Sequence, residues 1–384
     1  QFTVRPKEDF LGGNDVPTND EDSGIYDKDG TAVRKFKVPE VNVPIEEVTV
    51  TAKDKNVYLL GSLTAEQIKS GATAKVGDVE LDLTKADYGL ADWQTEHVTI
   101  AVTCTDAEGK TVTGINNLVA DTTYIVTVTV TPNKTGTTTA EKGTAATKQL
   151  DSATGNIYVF KPELTYKDST AYYGETVANG FSGNKVAEVW KRGNTVDTNV
   201  TMDSVKPTLN ITYTPDSTKV YDGKYGKQDV PVKAAVKIND TDVTSDTTFV
   251  HQPCSPGCGW TDPTAKGDPA FLIHVKTCTL TITKTGGADD ETYVFTVKKD
   301  NVEYSEVTIQ GNGTETLVEL PIGTYTIKED TGWSWRYPNP TYTSGVALSA
   351  AQDTGTITCT NTKTKDTWLN GFSAVVRNIF GRKH

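Results

Sequence analysis

Residues Cys278-Thr-Leu-Thr-Ile-Thr-Lys284 alternate strictly between apolar and polar side chains until the last position. In an extended strand successive side chains point to opposite faces, so Cys278, Leu280, Ile282 and Lys284 share one side. That period of two fits a half-buried strand and not a helix, and it carries a lysine onto the apolar face. An inward ammonium needs a partner. Two later stretches offer polar groups in the same way: Tyr325-Thr-Ile-Lys-Glu329 aligns Tyr325, Ile327 and Glu329, and Ile357-Thr-Cys-Thr-Asn361 aligns Ile357, Cys359 and Asn361.

Burial makes a lysine lose its proton more easily and makes a neighbouring carboxylic acid keep its own. A neutral amine of this kind is a nucleophile. Held against the Asn361 carboxamide it can displace ammonia, with Glu329 shuttling protons and polarising the carbonyl, to leave an isopeptide cross-link between side chains. The same residues admit a plainer reading, in which Lys284 snorkels to the strand end, Glu329 lies at the surface and Asn361 sits in a turn.

The ordered set Leu-Thr-Ile-Thr-Lys284, Leu320-Pro-Ile-Gly-Thr-Tyr325-Thr-Ile-Lys-Glu329 and Thr358-Cys-Thr-Asn361-Thr-Lys resembles the B-type repeat domains of Gram-positive collagen adhesins and pilins. The resemblance runs from about Lys276 to Lys365, the last quarter of the chain. In that family the matching lysine, glutamate and asparagine form an intramolecular isopeptide bond. The resemblance thus implies a bond between Lys284 and Asn361, with Glu329 catalysing its closure. The rest of the chain resembles, more loosely, stalk modules of large Gram-positive surface proteins.

At 384 residues the chain is long enough for several small sandwiches, each with its own core. Abundant Thr and Val, 32 Gly and a single Met favour strands and turns. The expected class is all-β, with tandem Ig-like or fibronectin-like β-sandwich modules and a short C-terminal helix. A formal charge of −12 argues against nucleic acid, whose phosphates would repel such a surface. No run of 18 apolar residues is present, so no transmembrane span is expected in this chain. The chain starts at Gln1 rather than Met, which suggests a processed product or a piece of something longer.

Residues 1–40 read as an extended arm or the edge of a preceding module, with Asp27-Lys-Asp-Gly30 able to close a hairpin. Gln1-Phe-Thr-Val-Arg5 can be a strand given to a neighbour. Asp27 and Asp29 suggest calcium, but the EF-hand spacing fails at Ile25. Residues 41–150 form the first expected sandwich, where Tyr124 resembles a corner tyrosine whose hydroxyl ties back to backbone. Within it Thr64 and Gln67 have capping-box spacing, and Cys104 falls on an apolar face as a buried thiol. A second sandwich is expected over 151–277 and the isopeptide-forming one over 278–365. Lys161 reads as a surface or edge lysine. In the tail, 366–384, Phe372, Val375, Val376, Ile379 and Phe380 repeat at the spacing of one helical face, ahead of Arg382 and Lys383.

The cysteines and histidines leave three readings open. His251, Cys254, Cys258, His274 and Cys278 supply ligand types suited to zinc, although the spacings fall outside finger and ribbon patterns. A disulfide from Cys278 to Cys254 or Cys258 suits an exported protein better, and free thiols are the third choice. Five cysteines leave at least one without an intrachain partner. His97, His251, His274 and His384 sit in no nucleophile motif, and no phosphate loop or dinucleotide fingerprint occurs, so neither an enzyme that turns over nor a cofactor is expected.

Two functions compete. One is a stalk, fibre or adhesin segment on a Gram-positive cell surface or in its wall, partnered by neighbouring modules or subunits. The other is a module binding a host protein or glycan through exposed aromatics such as Trp190, Trp333 and Trp335; for Trp333-Ser-Trp335, one ring in the core or at a module junction is the simpler explanation.

Overall fold

The computed structural model describes residues 5–19, 22–136, 144–175, 181–215, 229–252, 270–332, 337 and 339–363. Strands dominate throughout, and the two described α-helices are single turns, Ala65–Lys69 and Asp92–Thr95, so the all-β expectation holds. The chain forms two compact units: Gln1–Glu163 with Val189–Asn210 and Lys237–Thr248, and Leu164–Glu188 with Ile211–Val236 and Phe249–His384.

The first unit includes the strands β1 (Val48–Thr51), β2 (Lys55–Tyr58), β3 (Thr73–Val76), β4 (Val98–Asp106), β5 (Thr122–Pro132) and the start of β6 (Gln149–Lys167). β5 pairs antiparallel with both β4 and β6, whereas β2 runs parallel to β6, with Ile157 opposite Lys55 and Val159 opposite Val57. Alternation explains the core: Tyr124, Val126, Val128 and Val130 all point inward along β5, and Val128 and Val130 join Val48, Val76 and Val98 in one apolar cluster. The Tyr124 hydroxyl donates to the Lys53 carbonyl at 2.5 Å, the backbone tie its sequence context predicts. Thr64 caps the first helix, accepting from the Gln67 amide while the Gln67 side chain accepts from the Thr64 N–H. Asp27 Oδ1 accepts from the Asp29 and Thr31 amides, which closes a turn.

The second unit holds β7 (Ser169–Tyr172), β8 (the larger part of Asp229–Ile238) and β9 (Phe271–Lys276), in which β9 lies between parallel β7 and antiparallel β8. Next come β10 (Cys278–Thr285), β11 (Thr292–Lys299), β12 (Val302–Gln310), β13 (Thr314–Leu320), β14 (Gly323–Glu329), β15 (Thr341–Tyr342), β16 (Val346–Leu348) and β17 (Thr354–Thr360). They make two four-stranded sheets, ordered β13-β10-β17-β15 and β12-β11-β14-β16. Cys278, Leu280, Ile282, Ile357 and Cys359 from one sheet and Tyr293, Phe295, Val297, Ile309, Tyr325 and Ile327 from the other belong to a single buried cluster. Each of the larger aromatics buries on the order of 150–250 Å² of mostly apolar surface there.

Several expectations fall outside the described residues: the strand at residues 1–4, Cys254, Cys258, Trp333, Trp335 and the tail helix over Phe372–Phe380.

Candidate cross-link site

β10 and β17 run parallel, the first and last strands of the C-terminal pair of sheets, with Ile282 opposite Ile357, Lys284 opposite Cys359 and Thr285 opposite Thr360. Burial alternates residue by residue along β10, which places Lys284 inside with 1% of its surface exposed. The ladder continues one step past β17, where the Asn361 N–H donates to the Thr285 carbonyl at 2.9 Å and turns the Asn361 side chain inward. Glu329 ends β14 on the other sheet, opposite Phe295 of β11, and its own N–H donates to the Tyr342 hydroxyl. Lys284, Glu329 and Asn361 are all buried. The plainer reading of a snorkelling lysine, a surface glutamate and a turn asparagine is therefore set aside.

Glu329 holds the group together. Its Oε1 accepts from Asn361 Nδ2 at 2.9 Å, and its Oε2 accepts from Cys359 Sγ at 3.1 Å and lies 3.8 Å from Lys284 Nζ. The lysine donates instead to the Thr285 carbonyl at 3.1 Å, and its Nζ sits 4.2 Å from the centre of the Tyr293 ring. Burial holds the Lys284 pKa below the ordinary lysine value, opposed by the Glu329, Cys359 and Glu291 side chains, which favour the charged form. Gly286 makes the approach possible: its φ is +71°, and a Cβ there would come within 2.0 Å of the Asn361 carbonyl oxygen. The arrangement presents an amine and a carboxamide to the two oxygens of one carboxyl group, away from water.

A second buried lysine escapes the sequence reading. Lys55 is also 1% exposed, donates to the Ser70 carbonyl and stands 3.7 Å from Asp203 Oδ1, while burial lowers its pKa against the pull of Asp203. The signal was present, since Lys55, Val57 and Leu59 alternate as Leu280, Ile282 and Lys284 do. Lys161, by contrast, is a part-exposed lysine paired with Asp246 at 2.6 Å.

The histidines of the zinc reading do converge, but on a carboxylate. His251 Nε2 is 2.5 Å from Asp168 Oδ1 and His274 Nε2 is 3.0 Å from Asp168 Oδ2, with the Leu272 N–H donating to Oδ1 as well. Asp168 was not foreseen, because one carboxylate between two strands carries no periodic signal. Cys278 is a free thiol and belongs to the apolar cluster; its side chain follows Leu280 and Ile282 inward along β10. Its candidate disulfide partners, Cys254 and Cys258, lie outside the described residues. Among the described residues no three or more His, Cys, Asp or Glu side chains are arranged to hold a metal ion. Trp190 is a correction: it is fully buried, edge-on to Tyr58 at 5.1 Å, and presents nothing to a ligand.

No family model and no curated protein matches the chain. Among solved structures it is similar to BcpA, the major pilin subunit of Bacillus cereus, with 12% identity over 83% of this chain and 99% of that one and a TM-score of 0.27. It is also similar to an adhesin from Mobiluncus mulieris described as containing intramolecular disulfide, isopeptide and ester bond cross-links, with 15% identity over 70% and 99% of the two chains and a TM-score of 0.25. Against the Bacillus anthracis TIE protein the identity is 12% and the TM-score 0.24, over 69% of this chain, which spans only 51% of that protein. At such scores the likenesses carry no argument of their own, and the all-β class rests on the strands themselves.

Proposed function

We propose that this chain is a load-bearing segment of a bacterial surface fibre or adhesin, hardened by an isopeptide bond between Lys284 and Asn361 whose closure Glu329 promotes. The observation that carries the reading is the Glu329 carboxyl, buried between the lysine amine and the asparagine carboxamide. Lys284 supplies the amine, which burial shifts toward its neutral form. In its acid form the Glu329 carboxyl can donate from Oε1 to the carboxamide oxygen once that amide is turned to present Oδ1, a rotation that exchanges two atoms of nearly equal size. The carbonyl carbon becomes more electrophilic, ammonia leaves, and the reaction stops after one turnover because the protein has consumed its own side chains.

The strands joined would be the first and last of the C-terminal pair of sheets, lying side by side and parallel. Tension applied across such neighbours shears a ladder of hydrogen bonds, each a weak net contributor to stability. A covalent tie between them bears that load instead. This use of the chemistry places the protein outside the cell, with neighbouring modules or subunits as its partners. No helix among the described residues is long and apolar enough to cross a membrane. The competing binding reading has lost Trp190 to the core. Intact mass spectrometry tests the proposal: a closed bond lowers the mass by one ammonia, about 17 Da. A wild-type chain of full uncondensed mass, with no linked Lys284–Asn361 peptide on digestion, overturns it.

A further inference from the structure

Lys284 and Glu329 are wholly buried opposites, yet Nζ and Oε2 stand 3.8 Å apart, beyond the 2.7–3.2 Å of an N–H···O bond. What occupies Oε2 is the Cys359 thiol, which donates to it at 3.1 Å from the position directly across the ladder from Lys284. The same Sγ lies 3.8 Å from Asn361 Oδ1, so one thiol borders all three members of the cross-link site. Resting on the cross-link reading above, we infer that Cys359 is a positioning residue for bond closure: its S–H holds Glu329 with Oε2 toward the amine and Oε1 toward the carboxamide, and keeps the lysine and glutamate from collapsing into a hydrogen-bonded ion pair.

The geometry matters because the collapsed pair is the unreactive state. An ammonium bonded to a carboxylate has neither a free lone pair for attack nor an acidic proton for the leaving group. With Oε2 engaged by a neutral donor, closure balances in a single relay. Lys284 Nζ bonds to Asn361 Cγ and the Cγ–Nδ2 bond breaks. One amine proton passes to Glu329 Oε2; once the carbon is tetrahedral Nδ2 turns back toward Oε1 and takes its proton, and ammonia leaves with the carboxyl group again protonated. Cys359 forms no covalent bond. Burial, and then the Glu329 carboxyl, push the Cys359 pKa up to about 12, so the thiol remains a donor over the range in which closure is assayed. The other groups that bear on the lysine and carboxyl are Glu291 and Tyr293, hydrogen-bonded to each other at 3.0 Å, and Tyr342 at the Glu329 amide.

The experiment refolds full-length chain that has been kept denatured since synthesis and follows the loss of ammonia by intact mass over time at a series of pH values. Cys359→Val keeps the size of the side chain and removes the donor; Cys359→Ser restores one. We expect Cys359→Val to close about tenfold more slowly, the scale of one lost hydrogen bond, with its rate profile moved to higher pH because the lysine now pairs with Glu329. Cys359→Ser should recover the wild-type profile. If the valine variant does not refold, Cys359→Ala serves in its place, with circular dichroism confirming the fold. Equal rates and profiles for wild type and the donor-free variant overturn the inference. So does equal slowing in the valine and serine variants with an unmoved profile, the mark of a packing role alone. Absence of ammonia loss from the wild type itself defeats the cross-link reading, and the two failures are thereby told apart.

Discussion

The Asn361 carboxamide donates to the same Glu329 carboxyl group that faces the Lys284 amine, one contact to each oxygen. Removing that carboxyl should therefore strand both reactants. For Glu329→Ala the expected mass is the full uncondensed one, and the melting transition should fall with it. A tie across the roughly 80 residues between its ends is worth about 4–5 kcal/mol if loop closure in the unfolded chain is the only effect, by analogy with disulfides. Intact mass and denaturant unfolding of the two proteins check both parts.

Asn361→Ala removes the electrophile and leaves Lys284 buried and free to titrate. Its pKa is then depressed in the folded state relative to the unfolded chain, so the unfolded state binds more protons in the interval between the two values. Stability of this variant should rise with pH through that interval, up to about 10.5, the ordinary lysine value. Lys284→Met in the same background should flatten the slope. Urea titrations across the range measure it, and identical slopes in the two proteins would count against a depressed lysine.

Gly286→Ala puts a methyl group against the Asn361 carbonyl oxygen, at a backbone φ that side chains rarely adopt. The variant should fold less stably and form the cross-link slowly or incompletely. Time-resolved mass spectrometry reads the second effect apart from the first.

At Lys55 the expectation concerns stability alone. Asp203→Ala leaves a buried cation without its carboxylate and should destabilise by on the order of 3 kcal/mol, whereas Lys55→Met should cost less because it removes the charge with the need for a partner. Adding Lys55→Met to Asp203→Ala should recover part of the loss. A double-mutant cycle in urea gives the comparison, and additive effects would show that the two side chains are independent.

What could be read in advance follows from which forces leave a periodic trace. Lys284, Glu329 and Asn361 each sit at the end of a short alternating run, so the pleat alone says that they face inward, and the structure brings Glu329 against both of the others. Lys55 carries the same trace in a shorter run. Trp190 misleads because it is followed directly by Lys191 and Arg192, and burial along its strand, Lys185–Arg192, is irregular apart from the tryptophan itself. Asp168 and its two histidines are joined by tertiary contacts across more than 80 positions of chain, which no local pattern encodes. Cys278 keeps its place in the alternation with Leu280 and Ile282, so its inward face was legible from the same pleat.

The register that sets Lys284 beside Cys359 would, with the proposed bond, also redirect the covalent path through the protein. With the bond closed, the chain would run from Lys284 straight into Asn361, and residues 285–360 would become a side loop off the main line. Stretching the polymer could not draw out that segment, withholding about 250 Å of contour length at the extended rise per residue. A single protease cut in the exposed turn at Asp300-Asn301 would leave the molecule in one piece. Strain and scission would then have to find some other part of the chain.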